Sequence, residues 1–203
     1  MPEANPYESP REPEPLTSVA RPVISVFSLR EFNLLLVSMT CSTIAGQALL
    51  LVVRFQVFEI SNSALSLGLL GLVEAIPALS LVLFGGHIAD SQDRRRILQA
   101  TAIMLTIFSA LLGLASYRGI TLVALYAMVF VVGVARSFAS PAYSALEAQV
   151  VPTHLIVKSA TWFATIWLIA AMLGPVLGGF AMARFGATNT YVLIAGLYAV
   201  SLI

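Results

Sequence analysis

Charge is scarce in this chain. Lysine, arginine, aspartate and glutamate make up 10% of 203 residues, against about 25% in a soluble domain. Too little polar surface remains to cover a water-soluble globule, so for most of the chain the solvent must be lipid. The net charge is +1, which leaves no electrostatic footprint for a nucleic acid. Cysteine occurs once, as Cys41 inside an apolar run. That excludes an internal disulfide or a cysteine zinc site, and a small buried residue is the plain reading. No basic segment leads into an apolar stretch and cleavage site at the N-terminus, so it does not read as a signal peptide. No nucleophile–base pair, metal-ligand cluster or phosphate loop falls within the apolar runs. The sequence therefore does not read as an enzyme and requires no cofactor or metal.

What is present is a series of apolar runs behind a polar tail. The first 22 residues hold Pro2, Pro6, Pro10, Pro13, Pro15 and Pro22 with Glu3, Glu8, Glu12 and Glu14. They cannot bury enough apolar area to offset ordering entropy, and they read as disordered. Val23 to Arg30 is semi-apolar and either lies along the membrane surface or links tail to span. Residues 1–29 thus form a tail and lead-in, and residues 30–203 a transmembrane bundle. Spans are expected over about Phe32–Arg54, Ala64–Ile88, Ile97–Tyr117, Thr121–Leu146 and Ser159–Ala183, each reaching the roughly 20 residues a membrane crossing needs. A sixth run starts near Thr190 and stops at Ile203; as a helix it would cover only about 21 Å. The expectation is an all-α membrane protein, cut within its sixth helix from a longer chain.

Loop charge sets orientation. With the N-terminus in the cytoplasm, seven basic residues fall inside (Arg11, Arg21, Arg30, Arg94, Arg95, Arg96 and Lys158) and three outside (Arg54, Arg118 and Arg184). The second span closes with Gly85-Gly86 and the fifth with Gly178-Gly179, on opposite sides in this orientation. Three spans followed by three of opposite topology is the inverted-repeat pattern of secondary transporters.

The strongest local signal is Gly86-x-x-x-Asp90-x-x-x-Arg94-Arg95 between the second and third spans. Glycine admits close helix approach, Asp90 can accept from amides or arginines, and such a cluster can break and reform as helices move. A positive-inside anchor is the plainer alternative. The segment resembles the loop signature of the major facilitator superfamily, Gly-x-x-x-Asp-Arg-x-Gly-Arg-Arg. Gly86, Asp90, Arg94 and Arg95 match; Ser91 replaces the usual basic residue and Asp93 the second glycine. The variant is similar to the branch of bacterial macrolide efflux proteins and the enterobactin exporter. The resemblance covers about residues 30–203. It implies the N-terminal six-helix half of a twelve-helix fold with 3+3 inverted repeats, a multi-pass protein of the bacterial inner membrane. Its implied partners are a small-molecule substrate, protons, the lipid bilayer and a second six-helix half.

Three further features bear on transport. Glu74 stands ten residues past the start of its span, roughly 15 Å deep, where an ionisable group is functional by default or faces a partner; it suits proton binding. Pro77 beside it frees a backbone carbonyl and can bend the helix. Arg136 is expected in the inner half of the fourth span, roughly 22 Å from its outer end and about 7 Å from Glu74 along the membrane normal. The resemblance links such an arginine to proton coupling, and snorkelling to the inner headgroups is the bland alternative. Gly174-Pro175-Val176-Leu177-Gly178-Gly179 resembles the fifth-span signature of family exporters, and Gly174 and Gly178 make a flat face for helix contact. The first span holds no acid, which argues against a dedicated cationic-drug site. Trp162, Trp167, Phe138 and Tyr143 could line an apolar cavity, or simply pack. Arg54, Glu59, Arg118, Glu147, His87 and His154 are expected at span ends, in the interface.

These features point to proton-coupled export of a small amphiphilic molecule, of the drug or siderophore class, by alternating access. Metabolite uptake and a non-transporting fragment remain open alternatives. The orientation is directly testable. With Cys41 replaced, a cysteine at Ser91 should resist a membrane-impermeant thiol reagent in intact cells, because 89–96 is expected inside and 118–121 outside. Rapid labelling at position 91 would overturn the topology.

Overall fold

The computed structural model describes residues 26–91 and 93–202, and the side chains of all of these except 82–91. Tail residues 1–25 lie outside the described residues. The described chain is helical throughout: a single 3₁₀ turn at Val26–Ser28, then α1 (Arg30–Ser61), α2 (Ala64–Ser91), α3 (Arg94–Tyr117), α4 (Leu122–Val150), a 3₁₀ turn at Thr153–Leu155, and α5 (Ile156–Val200). All five α-helices are long and apolar enough to cross a membrane.

α1 runs seven residues past the end expected from sequence, because Phe55–Ile60 remains mostly apolar and nothing before Asn62 can stop the helix. Asn62 takes the left-handed conformation (φ 47°) and returns its amide to Phe58 O at 2.8 Å; asparagine tolerates that conformation better than most residues. Only Asn62 and Ser63 then separate α1 from α2, and connections this short force neighbouring helices to run antiparallel. Thr121 caps α4, its hydroxyl accepting from the Ala124 amide, and Asp93 caps α3, its carboxylate accepting from the Arg95 amide at 3.1 Å.

At 45 residues α5 would be about 68 Å long if straight, more than twice a ~30 Å hydrocarbon core. It is broken at Gly186, whose φ of 77° and ψ of 171° fall in a region open essentially to glycine alone. Contacts with α1 show what the break does. In the first limb Phe163 packs edge-on against Phe32, Gly174 meets Ile44 and Gln47, and Gly178 meets Ala48. Both sets of numbers rise together, so this limb runs parallel to α1. Past Gly186, Tyr191 Oη donates to Gln56 Oε1 at 2.9 Å, Tyr198 Oη lies beside Gly46, and Ser38 Oγ donates to Ser201 O at 2.6 Å. Now the α1 numbers fall as the chain advances, so the second limb returns antiparallel. The two limbs clasp α1.

α1 therefore sits at the centre of the bundle. Its Leu49, Val52, Val53 and Val57 form the main core with Leu105 and Leu112 of α3, Leu125 and Val129 of α4, and Ile194 of α5. A second core at the other end joins Val26, Phe32 and Leu35 to Leu146, Leu155 and Phe163. The lead-in is held there: Phe27 packs edge-on against Trp162 at 5.0 Å, and Asn33 Nδ2 donates to Phe27 O. Leu65, Leu79, Val123, Val157 and Phe180 are largely exposed, as lipid-facing positions should be in a chain this apolar.

The α1–α5 seam depends on missing side chains. A Cβ at Gly174 would fall 2.5 Å from Gln47 Cβ and 2.9 Å from Ile44 O; one at Gly178 would fall 2.9 Å from Ala48 Cα. At Gly179 the nearest atom, Leu51 Cδ2, is 3.7 Å away. Gly178→Val should therefore destabilise the bundle by about 1–3 kcal/mol through overpacking, while Gly179→Ala should be nearly neutral. Thermal unfolding in detergent, followed by tryptophan fluorescence, distinguishes the two; equal effects would remove the close approach as the reason for Gly178.

Candidate functional site

Two charged groups line one cavity of about 480 Å³ between α1, α2 and α4, walled by Leu49, Leu50, Val53, Val129 and Val132. Glu74 enters from α2 and Arg136 from α4. α2 and α4 face each other closely here. A Cβ on Gly133 would fall 2.8 Å from Pro77 Cγ, and Ser137 Oγ donates toward Gly133 O (2.9 Å) and Pro77 O (3.2 Å). Ser137 thus bonds across to α2 at the Pro77 carbonyl, one turn beyond Val73, whose carbonyl the missing Pro77 N–H leaves without its helical donor.

Glu74 is not alone at its depth. Arg54 Nη2 lies 3.3 Å from Glu74 Oε2. Arg54, expected at the end of its span, is not at the helix end: α1 continues to Ser61, so Arg54 lies seven residues inside the helix, roughly 10 Å from its end. The sequence signal for it was the apolar continuation after Arg54.

Arg136 stands fourteen residues from the start of α4, against fifteen expected. α4 extends to Val150 rather than Leu146, which puts Arg136 fourteen residues from either helix end, or about 21 Å. It is at the middle of the helix. Its guanidinium turns toward α1, into the space left by Gly46. A Cβ on Gly46 would lie 3.2 Å from Arg136 Cζ, Arg136 Nη2 and Tyr198 Oη. Gly46 and Tyr198 were not singled out from sequence, since nothing local marks them; they matter through a contact between residues 152 positions apart.

A second cavity of about 330 Å³ lies on the other side of Arg136, lined by Ser42, Thr43, Gln47, Ser140, Phe163 and Trp167 among others. Tyr143 also lines it and shares a 3.1 Å hydrogen bond with Ser38. Of the expected aromatics, Trp167 and Tyr143 line this cavity, Trp162 packs on Phe27 instead, and Phe138 lines neither cavity. Glu147, expected in the interface, also faces this cavity and accepts from Ser159 Oγ at 3.1 Å.

At the α2–α3 end, the surroundings of Gly86 and Asp90 lie outside the described residues. The arginines that follow reach into the bundle rather than only toward headgroups. Arg94 Nη1 donates to Ala145 O of α4 at 3.1 Å, and Arg95 Nη2 pairs with Glu31 Oε2 of α1 at 2.8 Å. Arg96 stays local, 3.6 Å from Asp93. Asp93, where the signature has glycine, gains a role of its own as the cap of α3. Gly174, Pro175, Gly178 and Gly179 lie on the α5 limb that runs beside α1, with Gly174 and Gly178 in its closest contact.

Comparison with known proteins agrees with this architecture. No curated protein matches the chain at a significant level. A family model described as transmembrane secretion effector matches residues 24–203, which takes in every described helix, both cavities and the arginine cluster. The match covers most of the chain, and its helices are apolar enough to cross a membrane repeatedly: this protein belongs to the transmembrane secretion effector family of major facilitator transporters.

Proposed function

We propose that the chain is the N-terminal six-helix bundle of a twelve-helix secondary transporter that exports a small amphiphilic molecule in exchange for protons. The observation that carries the reading is the charge arrangement in the bundle: a carboxylate and an arginine face one cavity, with the carboxylate already paired to a second arginine. Charges in lipid are retained where they do work. Protonation of Glu74 would remove the Arg54–Glu74 attraction and loosen the α1–α2 seam. Deprotonation would restore it. This couples a proton to a helix contact, which is what rocking of two bundles about a midplane site requires. Arg136, on the far wall, communicates with both cavities. The family description, a secretion function, favours export over uptake.

The protein is placed in the bacterial inner membrane with its N-terminus cytoplasmic. Seven basic residues near the inner span ends against three near the outer ones support this orientation. The Gly86–Arg95 cluster acts as a cytoplasmic latch. Arg94 and Arg95 hold α3 to α4 and α1, and Asp90 adds an acid that anchoring does not need. The Gly174–Gly179 segment is the helix-packing element of an exporter.

Two experiments test this. In everted vesicles with an imposed pH gradient, using erythromycin and a catecholate siderophore as probes, Glu74→Gln should abolish gradient-driven transport while equilibrium binding of the transported probe survives. Undiminished proton-coupled transport would leave Glu74 a structural acid. Separately, Asp90→Asn should reduce transport without lowering the amount of inserted protein; a normal rate would reduce the cluster to a topology signal.

A further inference from the structure

Arg54 and Glu74 neutralise each other. That leaves Arg136 at the middle of α4 with no hydrogen bond and no ion pair among the described residues. A guanidinium carries five donors and no acceptor, and a mid-membrane charge is retained only when something compensates it. Beside it stands a second unsatisfied group. Tyr198 is fully buried, and its hydroxyl has no hydrogen-bond partner among the described residues. Both groups crowd the hollow left by Gly46. A guanidinium with donors only and a hydroxyl that can donate or accept thus converge on one spot, and neither is hydrogen-bonded there among the described residues.

The cavity of about 330 Å³ beside them has the size of a small-molecule site and two kinds of wall. Ser42, Thr43, Gln47 and Ser140 are polar; Phe163 and Trp167 are aromatic. The one carboxylate among its lining residues, Glu147, is eleven residues along α4 from Arg136, roughly 16 Å by helical rise, and is already engaged by Ser159. Glu74, which shares the other cavity with Arg136, is paired with Arg54, so the carboxylates on either side of Arg136 are both engaged elsewhere.

We propose that Arg136, backed by Tyr198, is the anion-recognition point of this cavity, and that the substrate is an amphiphilic anion. Its acid group meets the guanidinium, and its apolar body lies along Phe163 and Trp167. A planar carboxylate suits the guanidinium fork, which can bind it through two parallel hydrogen bonds. A cationic amphiphile would meet repulsion at the same place. The proposal rests on the transporter reading for its site, but concerns equilibrium binding and needs neither a second bundle nor a proton gradient.

The test uses a matched probe pair, 1-pyrenebutyric acid and 1-pyrenebutanol, with the full chain in phosphatidylcholine nanodiscs, where no anionic lipid competes. In a Trp162→Phe background Trp167 is the sole tryptophan, and energy transfer from it to pyrene reads occupancy of the cavity it lines. The acid should bind at least about tenfold more tightly than the alcohol, the scale expected of a hydrogen-bonded charge. Arg136→Gln should abolish that preference without weakening the alcohol, Arg136→Lys should keep part of it, and Tyr198→Phe should reduce it by a few-fold. Equal binding of acid and alcohol to the parent protein would overturn the proposal, as would an acid preference unchanged in Arg136→Gln. If Arg136→Gln fails to fold, the parent protein's acid preference and its reduction in Tyr198→Phe still decide: loss of either overturns the proposal. Because no gradient is applied, a failure of proton coupling at Glu74 would appear in the vesicle assay and leave this one unaffected.

Discussion

The close approach of α5 to α1 at Gly174 and Gly178 is the contact on which the rest of this bundle depends. There is no hydrophobic drive for helices to associate inside lipid, so packing contacts and polar bonds must hold them together. Two glycines let one helix rest directly on the backbone of the other. With that limb in place, the reversal at Gly186 sends the chain back along another face of α1. It brings Tyr191 to Gln56, Tyr198 to Gly46 and Ser201 to Ser38. The surroundings of Arg136 are therefore set by a glycine seam that lies one limb away.

Charge placement follows the same logic. Insertion scales put an arginine or aspartate at a helix centre at about 2.5–3.5 kcal/mol each. α1 and α2 offset part of that for Arg54 and Glu74 by pairing them. α4 does not do so for Arg136, which is half-buried against a glycine hollow and an unbonded tyrosine hydroxyl. The Arg54–Glu74 pair and Arg136 thus face one cavity, the first paired and the second without an ion pair among the described residues.

The arginine cluster between α2 and α3 shows how a departure from a family signature can be compensated. Asp93 occupies a glycine position and caps α3. Arg94 and Arg95 tie that helix to α4 and α1 through a backbone carbonyl and Glu31. The connection is short, yet the arginines that follow it touch two other helices, α1 and α4.

Much was legible in the sequence because lipid imposes simple rules. Low charge and long apolar runs determined an all-helical membrane protein, and the starts of α2 and α4 fell within a residue of their expected positions. Gly86, Asp90, Arg94 and Arg95 pointed to the family through their resemblance to its loop signature, and Glu74 and Arg136 stood out because ionisable groups in apolar runs are rare. What the sequence did not determine was which charges meet. Arg54 read as a span end because charge is the usual mark of one, and only the continued helix placed it opposite Glu74. Gly46 and Tyr198 carry no local signal at all. Their importance arises from the reversal at Gly186, which turns residues 152 positions apart into neighbours, and pairing across a bundle is a property of helix packing rather than of periodicity.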